Sequence, residues 1–498
     1  MFRRIEFRDL SARLQYTQLA QIHPQLVGGL AGLGEGFGAD DCADANIESV
    51  ELIECCMCHC AQFAHMHVVI IGAGWAGVAA AIHAVEHGAR VTVIEERPYI
   101  GGRARSFPDR ETNTVIDNGQ HIMMGCYREV LHVLRTLGTD HQLDRQAALR
   151  VGFVDAGGKR DVLDASALPG KLGVALGILR LQQLPLKARL AAMRFALRLT
   201  LHRIDSSGMT CKELFARYRQ PAELVSRLWE PIVLATMNAS INDASADVFC
   251  TVMRLAFLGS TEDSQILVPR RGLSDLLEPF TDWLRAHGGS VHTSVAVERL
   301  TIAQDRVTSV VLSTGEEITD VDAVVSCVPQ RALTRICAAS QYPLVDLHEP
   351  AVSPIVSVYL WYSAQWMTTD LVAALGTATQ WIFNKHRTTP GLVALTISAA
   401  SDIAGQERDM IVAGCDAEVR QLFPEELNGV KLLHSQVIKE KAATPVFTPS
   451  ANAERIASDA LGIENLRIAG DWVQTGLPAT LEGAAFSGVL ATSDLLPA

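Results

Sequence analysis

The chain has 498 residues, 48% of them apolar and 20% charged, with 37 glycines. That length exceeds a single core and predicts two or three domains, and the composition excludes a disordered or collagen-like chain. No run of about 18 uncharged apolar residues occurs, which excludes a polytopic membrane protein, and 43 basic against 55 acidic side chains leave a net charge of −12, which argues against a nucleic-acid partner.

Residues 1–65 read as a poorly structured extension, because Gly28–Asp44 is rich in Gly, Ala and Asp and shows no helical or strand periodicity. The start of the chain, with Arg3, Arg4, Glu6, Arg8 and Asp9, lacks the continuous apolar core of a signal peptide. Cys42, Cys55, Cys56, Cys58 and Cys60 fall here. Cys55-x-x-Cys58-His59 has the spacing of covalent haem attachment, and the thiolates suit a soft metal. Haem attachment needs export, and adjacent cysteines in one short run make a poor tetrahedral scaffold, so no metal site is expected. The other cysteines are scattered singly and read as reduced cytoplasmic thiols.

His67–Ile71 is a short apolar run of the kind that forms a buried parallel strand. It enters Gly72-Ala73-Gly74-Trp75-Ala76-Gly77, and Val78–His87 reads as a helix ended by Gly88. Gly72 permits the tight turn, Gly74 lets the backbone approach a pyrophosphate, and Gly77 lets the helix pack closely on the strand. The helix start offers free N–H groups, those of Ala73 and Ala76 among them, to phosphate. Arg90–Ile94 is a second strand ending at Glu95, an acid placed to accept from a ribose diol, with Glu96 beside it. Strand, turn, helix, strand and acid in that order predict dinucleotide binding; Gly101-Gly102-Arg103 follows.

Farther on, 165–204 contains no acid but holds Lys171, Arg180, Lys187, Arg189, Arg194, Arg198 and Arg203 among Leu, Ile, Ala, Val and Phe. Pro169 and Pro185 divide it into two helices too short to span a bilayer. A basic amphipathic pair of this kind predicts contact with a membrane surface; a solvated pair capping a domain is the plainer alternative. Arg306–Leu312 and Glu317–Thr319 form a strand pair through a Thr314-Gly315 turn, and Val321–Pro329 is a returning strand. Leu466–Ala469 is another buried strand, leading into Gly470-Asp471-Trp472. Pro478 and Thr480 suit a helix start, and the closing helix runs toward Leu496.

The Gly-Gly-Arg run after the acid resembles the flavin-containing amine oxidase and phytoene desaturase superfamily and is foreign to NAD dehydrogenases. Asp117-Asn118-Gly119-Gln120-His121, Leu228-Trp229-Glu230-Pro231 with Asn238, Leu267-Val268-Pro269-Arg270, and Gly470-Asp471-Trp472 through Pro478-Ala479-Thr480 and Glu482-Gly483-Ala484 narrow this. Together they resemble the hydroxysqualene dehydroxylase family over roughly residues 66–495. Two departures are the extension 1–65 and Ala453-Glu454-Arg455, where the family has Arg-Pro, which puts the local loop geometry in doubt.

The resemblance implies an α/β, Rossmann-like FAD-binding domain built from 66–165, 265–340 and 455–498, with an α+β, amine-oxidase-like substrate domain from 166–264 and 341–454. FAD would then meet Gly72, Ala73, Gly74, Ala76, Gly77, Glu95, Glu96, Gly102 and Arg103. Val297 would offer its backbone to the adenine, and Asp471 with Gly470 would meet the ribityl or pyrophosphate region. The helix start at Ala479 and Thr480 would aim N–H groups at the pyrimidine ring. The implied reaction replaces the hydroxyl of hydroxysqualene by hydrogen to give squalene in hopanoid synthesis. It needs an acid, a dry pocket and placement of the carbinol carbon on the flavin. Three candidate acids are open: His121, equally readable as a hydrogen-bond partner of the flavin or loop backbone, Glu230, and Glu482, which reads more readily as a structural cap or flavin-side ligand than as an acid. Expected partners are a hydrophobic isoprenoid substrate, the inner membrane face through 165–204 from the cytoplasmic side, and other enzymes of squalene metabolism. A carotenoid-type desaturase working in the opposite redox direction, a flavin amine oxidase and an FAD-binding scaffold are the competing readings.

Overall fold

The computed structural model describes residues 66–342 and 349–496; the extension and its cysteine cluster lie outside them. A five-stranded parallel sheet runs in the order 290–293, 90–95, 67–71, 323–326, 466–468. Val68–Ile71 and Val91–Glu95 are buried along their whole length, as a parallel sheet covered on both faces requires. Distant stretches of sequence thus become neighbours: Val68–Ile71 pairs with Ala323–Ser326, which in turn pairs with Leu466–Ile468. The helix after the glycine turn covers Trp75–Glu86, starting three residues before the periodicity predicts. It packs against the closing helix Leu481–Ser493 at Gly488, where an added Cβ would lie 2.1 Å from the Ala76 carbonyl oxygen.

A seven-stranded sheet forms the second layer, in the order 432–445, 352–362, 392–397, 381–384, 371–375, 150–155, 160–164. Here one expected boundary moves. Arg150–Asp155 and Arg160–Asp164, read from sequence as part of the nucleotide-binding segment 66–165, belong to this sheet, through the parallel pairing of Gly152–Asp155 with Val372–Leu375. Register with a strand more than two hundred residues away decides that, and no local pattern carries it. The helices Gly170–Arg180 and Leu186–Thr200 form where the prolines place them. Their inner residues, Val174, Ile178, Ala188, Ala192, Phe195 and Leu199, join the core around Trp229. The sheet edge 432–445 and the helix Glu230–Met237 close over the nucleotide layer, and the cavity lies between the layers. Among the described residues no helix is long and apolar enough to cross a membrane, and no group of three or more His, Cys, Asp or Glu is placed to hold a metal.

Candidate active site

One cavity of about 1240 Å³ begins at the glycine turn and ends against the second sheet. Gly72, Gly74, Ala76, Glu95, Glu96, Gly102, Arg103, Val297, Gly470, Asp471, Ala479 and Thr480 all line it, so the segments around Gly72 and Asp471 do meet there. Gly72 has φ +100°, a left-handed conformation that a side chain would strain. Two other glycines act through space. A Cβ on Gly77 would lie 1.9 Å from the Gly72 carbonyl oxygen, so Gly77 is a packing residue outside the cavity wall. A Cβ on Gly74 would meet nothing within 4 Å, because Gly74 faces the open cavity at an uncapped helix start.

Glu95 is buried, and its carboxylate accepts from the Ala73 N–H at 2.7 Å and the Arg97 N–H at 2.8 Å. Ala73 therefore positions the acid from behind the wall instead of facing the cavity, while the carboxylate keeps lone pairs for a diol. At the other end Asp471, 7% exposed, pairs with Arg103 at 2.6 Å, and that carboxylate is the main cause holding the guanidinium above its ordinary value. Arg103 also donates to the Ala443 carbonyl oxygen at 2.6 Å. The departure at Arg455 has a use: its guanidinium donates to Leu477 O at 2.8 Å and to Val473 O, and lies 4.1 Å over the Phe447 ring. Burial lowers it to about 10, still charged at neutrality, so it fixes the loop that delivers Pro478–Thr480.

The three candidate acids separate. His121 lines the cavity with its Nδ1 3.3 Å from the Gly119 carbonyl oxygen. A carbonyl only accepts, so the neutral ring carries its proton on Nδ1 and shows a lone pair at Nε2. Burial lowers its pKa, against the opposing pull of Asp117, so this ring is neutral at pH 7 and is an acceptor there more than an acid. Glu230 is half-buried and outside the cavity wall; burial raises its pKa, but the helix presents Leu234, Ala235 and Thr236 to the cavity in its place. Glu482 is corrected to a cap. Its two oxygens accept from the Glu129 and Val130 N–H groups at 3.1 and 3.0 Å, at the start of the helix Arg128–Thr136. Burial pushes it up to about 7 against those same hydrogen bonds, and it turns away from the cavity that Leu481 and Ala484 line.

Residues absent from the expected set complete the wall. Lys385, 7% exposed, donates to Gln120 Oε1 at 3.0 Å and pairs with Asp117, 1% exposed, at 3.5 Å. Asp117 is also held by Ser106 Oγ at 2.7 Å and the Leu273 N–H at 3.0 Å. This pair fixes the Asp-Asn-Gly-Gln-His run whose Asn118, Gln120 and His121 reach the cavity. A lone lysine in a polar stretch carries no sequence signal that it will be buried. Glu440 lines the cavity from the sheet edge and accepts from Asn118 Nδ2 at 3.2 Å. Burial pushes the Tyr127 phenol, another lining group, well up, so it keeps its proton. Ile122, Leu234, Ile355, Trp381 and Phe383 give the far end an apolar face, beside the polar Thr236, Asn238, Thr396 and Ser398.

Comparison with known proteins settles the family. Residues 75–496 match the model of the flavin containing amine oxidoreductases. The chain belongs to this family. It is 30% identical over 450 residues to a hydroxysqualene dehydroxylase of Rhodopseudomonas palustris, covering 86% of this chain and 98% of that one. It is 25% identical to a zeta-carotene desaturase of Zea mays, over 85% of this chain and 82% of that one. In fold it is similar to cyclohexylamine oxidase from Brevibacterium oxydans, with a TM-score of 0.61 at 16% identity, over 87% of this chain and 99% of the other. The family's flavin, here FAD, fits the residues present: Gly74 leaves open the space a Cβ would fill, and the buried Glu95 carboxylate sits at the end of the second strand. Uncapped N–H groups at the start of Trp75–Glu86 would receive the FAD pyrophosphate.

Proposed function

We propose that this chain is an FAD-dependent oxidoreductase that removes the hydroxyl of hydroxysqualene to give squalene. The observation that carries the reading is the continuity of one cavity from a dinucleotide turn to an apolar wall built by Ile122, Leu234, Ile355, Trp381 and Phe383. The likeness to the Rhodopseudomonas palustris enzyme supports it over nearly the whole of both chains. Reduced flavin, when bound, supplies the hydride that replaces the departing oxygen.

The chain's own residues do the rest. Gly72, Gly74 and the helix start would hold the pyrophosphate of FAD, Glu95 its ribose diol, and Asp471 with Arg103 the region between pyrophosphate and flavin. The apolar wall orients a hydrocarbon and excludes water, which would otherwise recapture an allylic cation as the alcohol. With its Nδ1–H held by the Gly119 carbonyl oxygen, His121 in its minority protonated form, loaded from solvent before the alcohol enters, would donate Nε2–H to the carbinol oxygen, which then leaves as water. An amine oxidase would hold a cationic substrate between facing rings. Trp381 and Phe383 instead lie side by side on one strand, 27° from parallel, as a single wall.

The same reading places the protein at a membrane face, because an isoprenoid alcohol resides there. Leu168, Leu172, Leu186, Leu190, Leu197 and Leu201 are 44–64% exposed, and all belong to the two basic helices and their flanks. On Leu186–Thr200, Leu186, Leu190 and Leu197 recur at spacings of four and seven and form one apolar stripe. Lys187, Arg194 and Arg198 flank it. Arg189 does not: it donates to Leu184 O at 2.7 Å and Leu179 O at 2.9 Å and ties the two helices together.

The decisive experiment is anaerobic mixing of the reduced holoenzyme with hydroxysqualene. Squalene should form while the flavin absorbance returns, one for one. Alkene formation by the oxidised enzyme from a saturated isoprenoid, with no squalene from the alcohol, would instead establish a desaturase.

A further inference from the structure

Beside the leucine stripe lies a second cleft, of about 490 Å³, lined by Arg194, Arg198, Arg217 and Arg219 with Phe195 and Tyr218 between them. Among the described residues no acid lines it. Arg194 and Arg198 stand one turn apart on Leu186–Thr200, while Arg217 and Arg219 come from the end of the helix Cys211–Arg217 and the turn after it. Four guanidinium groups around one cleft repel one another unless an anion sits among them. Of the four, Arg217 alone has a carboxylate partner among the described residues, Asp205 at 3.0 Å, and Arg198 lies over the Tyr218 ring at 5.7 Å.

We propose that this cleft binds the phosphate of an anionic phospholipid headgroup, a site that rests on the membrane-face reading and gives it a specific ligand. The guanidinium fork matches phosphate oxygens two at a time, which a lysine does not. Free phosphate has the same chemistry. The lipid is chosen because the exposed leucines continue along the very helix that supplies Arg194 and Arg198, so acyl chains would lie against the stripe while the headgroup enters the cleft. Two anchors of different kind on one helix also fix the rotation of the protein on the membrane, which apolar insertion alone leaves free.

The test uses the FAD-loaded full chain and flotation with phosphatidylcholine vesicles, with and without phosphatidylglycerol. The double variant R194Q/R219Q removes two cleft charges that have no carboxylate partner among the described residues, and K171Q/K187Q removes two charges from the same helix pair outside the cleft. Retained flavin and an unchanged melting midpoint establish that both are folded. R194Q/R219Q should bind the anionic vesicles about thirtyfold more weakly, equivalent to ~2 kcal/mol, because it removes hydrogen bonds to the bound phosphate; K171Q/K187Q, which removes only general attraction, should stay within about fivefold of wild type. Equal losses in the two double variants, or no loss in R194Q/R219Q, would reduce the cleft to general charge attraction and overturn the site. Inorganic diphosphate that binds wild type but not R194Q/R219Q, while both float alike, would reassign the cleft to a soluble phosphate. Wild type that fails to float would sink the membrane-face reading along with the site. Turnover of detergent-dispersed hydroxysqualene, unchanged in both variants, reports on the dehydroxylation separately.

Discussion

Gly74 and Gly77 share one motif, yet single added methyl groups should act on them in opposite ways. Gly74 has φ −75° with nothing within 4 Å of where a Cβ would stand, so Gly74→Ala fits the empty fold and should leave its stability within about 1 kcal/mol of wild type. The methyl occupies space where the pyrophosphate must approach the helix N–H groups. Backing the anion away weakens one charge-assisted hydrogen bond, worth about 1.5–3 kcal/mol, or roughly tenfold to hundredfold in FAD affinity. In Gly77→Ala the new Cβ would stand 1.9 Å from Gly72 O, where ordinary contact begins at 3.4 Å. The helix must then move off the strand, an overpacking cost of about 1–3 kcal/mol that appears with or without cofactor. FAD titration of stripped protein by fluorescence quenching, with urea unfolding of the same samples, separates the two. Wild-type FAD affinity in Gly74→Ala, or wild-type stability in Gly77→Ala, would refute this account of the turn.

Glu482→Gln keeps one acceptor, for either the Glu129 or the Val130 N–H, which the two carboxylate oxygens now serve separately. The amide NH2 then faces the other N–H, so the change should cost about 1–3 kcal/mol in stability and less than tenfold in turnover; a loss on the order of a thousandfold in a folded, flavin-loaded variant would restore Glu482 as the acid. Lys385→Met strands the buried Asp117 carboxylate and should cost about 3–5 kcal/mol in denaturant unfolding, with K385M/D117N recovering a part, and a loss under about 1 kcal/mol would contradict the pairing. His83, held by Thr492 Oγ1 at 2.9 Å between the two cofactor-domain helices, is lowered to about 4 by burial first and His87 second. An imidazole kept neutral in the folded state contributes full stability above its ordinary 6.5 and loses it as pH falls from there toward 4, up to about 3 kcal/mol. His83→Leu should flatten that part of the curve of unfolding midpoint against pH.

Local chemistry made much of this protein legible in the sequence. Short runs rich in Val and Ile within His67–Ile71 and Arg90–Glu95, and glycines at fixed offsets between them, specify strand, turn and helix through interactions within a few residues. Prolines at 169 and 185 set the starts of two helices in the same way. Tertiary packing decided where side chains separated along the chain would meet. Arg103 finds Asp471 across 368 positions and Lys385 finds Asp117 across 268, pairs with no periodic trace. Glu482 illustrates the limit most sharply. It sits one residue from a cavity-lining leucine, yet the rotation of the closing helix, set by packing at Gly488, turns its carboxylate onto another helix's N-terminus. A motif fixes the backbone path; the direction in which each side chain leaves that path depends on what the rest of the chain packs against it.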